Sequence, residues 1–216
     1  MVEPVLLPEQ SQVNEFLPPN NYPLPLDPRH PVTMGDFAPP VVYSEIKWAQ
    51  EINLEKSKEV ILEVWKKFGD QFGRYYNPIE CYRCEECDTL LMTMGSYSET
   101  AMTAIDQMKE AGKKVGLIHI RLWRPFPYED LRQAVKNVKN LIVLDRAISF
   151  GQSGPVASEI KSALYHQSRR PKVVGFVGGL GGRDISPADF IAIVDRGIEI
   201  ARTGSKREFE IFGVRE

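Results

Sequence analysis

Cysteine and histidine are scarce in this sequence, with three of each in 216 residues. An odd number of cysteines with no export signal ahead of them does not make a disulfide framework. No stretch approaches the roughly 18 apolar residues of a membrane helix. The opening MVEPVLLPEQSQ has neither the basic nor the apolar region of a signal peptide, so the expected location is the cytoplasm. The formal net charge of -2 makes no electrostatic case for nucleic acid or an anionic membrane as partner. There is no GxGxxG, no phosphate loop of the GxxxxGK type and no internal repeat. No Ser-His-Asp set or acidic couple stands out for general acid–base work. His119 lies in an apolar strand-like run, where a core histidine hydrogen-bonded to a neighbour is expected. On its residues alone the chain lacks a complete active site.

What is present is ordinary globular composition, 43% hydrophobic and 26% charged, at a length able to bury a core. Three segments follow one another. Residues 1–42 form a proline-rich stretch, FLPPNNYPLPLDPRHPVTMGDFAPP at its centre. Proline fixes φ and removes a donor, so an extended arm is expected and helix is not. Phe16, Leu17, Tyr22, Leu24, Leu26 and Phe37 are spread along it, more apolar surface than a solvated linker keeps. The arm is expected to lie on a surface, its own or a partner's. Residues 43–80 form a helical connector: Tyr43, Ile46, Gln50 and Leu54, then Val60, Ile61, Val64, Trp65 and Phe68, recur at helical spacing, and Gly69 and Gly73 end the helix.

Residues 81–216 alternate between strand and helix. TLLMTMGS, KVGLIHIRLW, NLIVLDRA and KVVGFVGG read as buried strands. Helices are expected over residues 99–111, 128–138 and 155–166, and from Ser186–Pro187 to about residue 201. Ser186 is a good N-cap with proline behind it. FEIFGV offers a short extra strand. Near-continuous apolar strands between amphipathic helices define a three-layer α/β/α domain with a mostly parallel sheet and right-handed crossovers.

In such a sheet, ligands and partners meet the carboxyl ends of the strands. The unusual residues fall there. Arg124, Arg146, Ser149, Gly181, Gly182, Arg183 and Asp184 should share one rim. Glycine loops and helix N-termini expose N–H groups, and arginine recognises carboxylate or phosphate, so the rim could hold an anion such as a phosphate or coenzyme A. The more ordinary alternative is that Arg124, Arg146 and Arg183 form ion pairs with Asp145, Asp184 or a neighbouring chain. Cys81, Cys84 and Cys87 form C-x2-C-x2-C, the opening of an iron–sulfur motif. A fourth thiolate is missing, and spacing alone is weak evidence for a metal. An iron–sulfur carrier built on these three therefore stays an alternative, and no metal ligand is assigned.

Five blocks in order carry a resemblance: VNEFLPPNNYPLPLDPRHPVTMG at 13–35, TMGSYSETA at 93–101, RLWRPFP at 121–127, VLDRAISFGQSGPVASEIKSALY at 143–165 and GGLGGRDISPADF at 178–190. Together they resemble the C-terminal half of the α subunit of pyruvate:ferredoxin oxidoreductase, within the 2-oxoacid:ferredoxin oxidoreductase family. The resemblance implies a transketolase C-terminal-like domain. It also implies a part in the CoA-dependent oxidative decarboxylation of a 2-oxoacid with ferredoxin reduction, pyruvate first among the substrates. It implies no catalytic residue and no cofactor in this chain. Thiamine diphosphate, Mg2+ and 4Fe–4S clusters are then expected in partner chains: thiamine-diphosphate-binding, gamma-type and ferredoxin-like subunits, with ferredoxin and coenzyme A met through the complex. Cysteine at positions 81, 84 and 87 departs from the family's pattern and reads as neutral substitution.

Overall fold

The computed structural model describes residues 7–17, 22–35 and 37–215. The chain divides into two compact units, residues 1–76 and 77–216.

The first unit holds two helices, α1 (Gln10–Phe16) and α2 (Pro40–Phe72). Helix α1 is a departure from the extended arm. It occupies a proline-free window after Pro8, and the Glu9 N–H donates to Gln12 Oε1 at 3.0 Å, closing its first turn. Phe16 then packs edge-on against Phe68 and Phe72, with ring centroids 5.8 and 6.0 Å apart. The other apolar arm residues are bare: Leu17, Tyr22, Leu24, Leu26 and Phe37 are all exposed. Pro18, Pro19, Asn20 and Asn21 lie outside the described residues.

Helix α2 has 33 residues, about 50 Å of helix, and is longer than its periodicity suggested. Pro40 opens it, where a missing N–H costs nothing. Gly69 does not end it. Gly69 is buried in the helix because the Tyr75 ring lies against it, and a Cβ there would fall 2.2 Å from Tyr75 Cδ1. The stop is Gly73, left-handed at φ 70°, whose N–H returns to the Gly69 carbonyl at 2.8 Å. Val41, Tyr43, Ile46, Trp48, Val60 and Val64 remain exposed on α2.

The second unit is built on a sheet that has six strands among the described residues: β1 (Ile79–Tyr82), β2 (Thr89–Met94), β3 (Val115–Ile120), β4 (Asn140–Asp145), β5 (Lys172–Val177) and β6 (Phe209–Ile211). Their order is β1-β3-β2-β4-β5-β6, with β1 antiparallel and the others parallel. The helices are α3 (Tyr97–Glu110), α4 (Tyr128–Val135), α5 (Pro155–Leu164) and α6 (Pro187–Thr203). Strand β1 was not legible as a strand. Being only four residues long, half-buried and carried at the sheet edge, it shows no continuous apolar run. It places residues 79 and 80 in the sheet rather than in a helical connector.

Side-chain alternation divides the core into two layers. Leu91, Leu117, Ile142, Leu144 and Phe176 face α3 and α6. Leu90, Met92, Ile118, Leu141 and Val143 face α4 and α5. Ser186 caps α6 as expected, accepting from the Asp189 N–H at 3.3 Å, while its own N–H donates to Asp189 Oδ2 at 2.8 Å. One topological expectation fails. The crossovers through α5 and α6 step the same way across the sheet with their helices on opposite faces, so they have opposite hands. The reason lies in burial. Ile142, Leu144 and Phe176 need a cover beside α3, and α5 already occupies the other face, so α6 takes the vacant layer.

Candidate functional site

The strand order reverses between β2 and β4, and the crevice beyond their carboxyl ends is where an open parallel sheet receives ligands. Tyr97, the first residue of α3, organises this rim. The Arg146 guanidinium lies over its ring, Cζ 4.2 Å from the centroid, in cation–π contact. The Tyr97 hydroxyl donates to the Arg183 carbonyl at 3.2 Å. It also presses on the glycine loop. A Cβ on Gly179, already left-handed at φ 69°, would lie 1.8 Å from the Tyr97 oxygen. The loop continues through a short 3-10 turn, Leu180–Gly182, with Gly181 at φ 64° and Gly182 at φ 82°. Tyr97 was not singled out from the sequence; only its place between Gly95-Ser96 and an amphipathic helix signals that it stands at a strand end.

Within the chain the arginines are engaged with partners other than Asp145 and Asp184. Arg124 makes a two-pronged ion pair with Glu159 of α5, at 2.9 and 2.7 Å, and stacks 5.0 Å from the Trp123 ring. The Arg183 guanidinium donates to the Gly213 carbonyl. Arg146 takes the Tyr97 ring. Asp145 pairs with none of them, because it is buried against the N-terminus of α5. Its Oδ1 accepts the Val156 N–H at 2.7 Å and its Oδ2 the Ala157 N–H at 3.0 Å. Burial raises its carboxyl above the ordinary value, and the two backbone hydrogen bonds act in the opposite sense. Gly154 must be glycine there, since a Cβ would sit 2.2 Å from Asp145 Oδ2. Ser149 lies in a tight turn in which its N–H reaches the Ser153 carbonyl at 3.1 Å and the Gln152 N–H returns to Ser149 at 2.8 Å. Asp184 is exposed on the loop.

His119 is buried, yet its Nδ1 has no hydrogen-bond partner; Glu80 Oε2 is 3.9 Å away. The hydrogen-bonded core histidine expected there is not found at that nitrogen. Burial, joined by the nearby Arg121 charge, holds its pKa below the ordinary imidazole value. The three thiols do not converge on one point either. Cys87 turns into the core, where Lys109 Nζ donates to it at 3.2 Å. Among the described residues no cluster of three or more His, Cys, Asp or Glu side chains is placed to hold a metal ion. A 4Fe–4S cluster needs four ligands, and a diphosphate with its divalent cation needs free donors and carboxylates. Among the described residues the three thiols fall short of the four ligands, and no carboxylate cluster is placed to hold the cation.

Fold and rim thus define a doubly wound α/β domain whose rim arginines are each engaged within the chain, with Glu159, Tyr97 and Gly213. Residues 87–190 match the family model for pyruvate:ferredoxin oxidoreductase core domain II. The chain is 40% identical over 195 residues to pyruvate synthase subunit PorA of Methanothermobacter thermautotrophicus, covering 90% of this chain and 50% of that protein. It is 42% identical over 166 residues to the PorA of Thermotoga maritima, covering 77% of this chain and 42% of that protein. With the ketoisovalerate oxidoreductase subunit VorA of Pyrococcus horikoshii the identity is 39% over 198 residues, covering 90% and 50%. The chain belongs to the 2-oxoacid:ferredoxin oxidoreductase family, and it spans about half the length of the curated relatives it matches.

Proposed function

We propose that this chain is one half of the α-subunit portion of a pyruvate:ferredoxin oxidoreductase, acting in the cytoplasm, and that it orders the complex rather than holding its cofactors. The similarity to pyruvate synthase subunits over 90% of the chain carries the reading. The geometry supports the division of labour. The rim arginines are tied to Glu159, Tyr97 and Gly213. The arm and α2 meanwhile leave Leu26, Phe37, Tyr43 and Trp48 bare, surface suited to clamping partner subunits. In the proposed reaction a 2-oxoacid and coenzyme A yield an acyl-CoA and CO2, and two ferredoxins are reduced. Thiamine diphosphate with Mg2+, and the iron–sulfur clusters, belong on other chains in this reading.

An anaerobic native pull-down of the chain, with identification of its partners, tests the reading. Co-purification with a thiamine-diphosphate-binding chain and a ferredoxin-like chain is expected, as is no pyruvate oxidation by the chain alone. Recovery of a monomer that turns over pyruvate unaided would overturn it.

A further inference from the structure

Two of the three cysteines share a small site near the amino ends of β2 and β3, away from the arginine rim. Directly opposed residues of an antiparallel pair point to the same face, as do residues two apart on one strand. Cys81 is opposite Ile118. Its side chain therefore shares a face with Ile118 and with the empty side-chain position of Gly116. After Tyr82 the chain reverses, with Arg83 left-handed at φ 49°, and comes back over that empty position. A Cβ on Gly116 would fall 2.9 Å from Cys84 Cα and 2.8 Å from the Arg83 carbonyl oxygen. Gly116 thus lets Cys84 lie on the sheet beside Cys81. The Cys84 thiol is steadied by the carbonyls of Leu117 and Tyr82, at 3.2 and 3.6 Å. Each thiol also shifts the other's titration, as close thiols do. Cys81 is exposed, Cys84 half-buried and Cys87 buried.

We propose that Cys81 and Cys84 form a redox-active dithiol that small disulfides of the glutathione type convert reversibly to an intramolecular disulfide, with Cys87 as a bystander. The site has the two properties the exchange needs, an accessible attacking sulfur and a resolving sulfur already beside it. The neighbouring Cys84 thiol brings the Cys81 thiol down to about 7, so it is substantially thiolate at neutral pH. The neighbouring Cys81 thiolate, with burial, pushes the Cys84 thiol up, which keeps it protonated while Cys81 is free. In the first step the Cys81 thiolate attacks one sulfur of the small disulfide. A mixed disulfide forms and one thiolate leaves. Capping Cys81 removes the negative charge that held the Cys84 proton. That proton passes to solvent, and the Cys84 sulfur attacks the Cys81 sulfur, expelling the second thiolate. Two protein thiols are oxidised to one disulfide, and one small disulfide is reduced to two thiols.

The test uses the full chain, reduced, then equilibrated with mixtures of oxidised and reduced glutathione, alkylated and mapped by peptide mass spectrometry. The expected result is joint loss of two alkylatable thiols, a single Cys81–Cys84 linkage and Cys87 still reactive after unfolding. Cys84→Ser retains a hydroxyl for the Leu117 carbonyl and should trap glutathione on Cys81. Cys87→Ser should oxidise as the wild type does. The folded chain should form the bond at a glutathione disulfide ratio at least about tenfold lower than the urea-unfolded chain does, a difference of about 30 mV for a two-electron couple. Separate glutathione adducts without a linkage, a linkage that includes Cys87, or equal ratios for folded and unfolded chains would each overturn the proposal.

Discussion

Replacing Asp145 with asparagine keeps the size of the side chain and removes its charge. Each carboxylate oxygen accepts one backbone N–H at the start of α5. Asparagine offers one carbonyl oxygen and turns an NH2 toward the other N–H. One buried donor then loses its partner, at about 1–3 kcal/mol. The helix also loses an anion at its N-terminus, worth about 0.3–1 kcal/mol. Relief from burying a charge offsets part of this, leaving an expected loss of about 1.5–3 kcal/mol. Urea unfolding followed by Trp123 fluorescence, in a background with Trp48 and Trp65 changed to phenylalanine, reads the α/β unit alone. The midpoint should fall with the urea dependence unchanged. The pH dependence tests the cause. Burial raises the Asp145 carboxyl in the folded state. A carboxyl raised in this way contributes stability that is fully present below its unfolded value, about 3.9, and is lost as pH rises through the folded value. Asparagine does not titrate, so the wild-type advantage should widen as pH falls through that window. An advantage that narrows would mean that the helix N–H groups outweigh burial, and it would refute the reasoning.

Gly197→Ala should destabilise the α/β unit by about 1–3 kcal/mol, because a Cβ there meets Ile142 Cδ1 at 2.6 Å. Ile142→Val, which removes that methyl, should restore part of the loss in a double-mutant thermal melt. Arg124→Ala and Glu159→Ala should show a coupling of only about 0.5–1 kcal/mol that fades with added salt; both side chains are substantially exposed, and a salt-independent coupling would contradict the assignment. Phe16→Ala should release α1 from Phe68 and Phe72, seen as faster protease cleavage within residues 10–17 without a change in the melting of the α/β unit.

Residues 88–201 were largely readable because their periods are strong. Apolar runs such as LLM and LIV demand a strand buried on both faces, and the Ser186-Pro187 start of α6 is local chemistry. Helix α1 was missed because the prolines around it dominated the window, although its own seven residues contain none. Strand β1 was missed because a four-residue edge strand buries too little to leave a pattern. Its neighbourhood drew attention for cysteine spacing, which says nothing about where thiols point. The rim position of Arg124, Arg146 and Arg183 followed from topology, but their partners did not. Glu159, Tyr97 and Gly213 are separated from them along the chain by lengths no local rule connects.

By itself, the sequence determined the alternation of strands and helices, the parallel sheet and the family blocks, since each rests on periodicity or short-range chemistry. Tertiary structure alone decided that α6 fills the layer beside α3, that Asp145 serves a helix rather than an arginine, and that Gly116 makes room for Cys84 beside Cys81. These outcomes depend on which surfaces meet once the sheet has formed, where close packing admits a glycine and excludes a methyl group. A one-dimensional pattern carries the tendency of each residue to be buried, but not the identity of the neighbour that buries it.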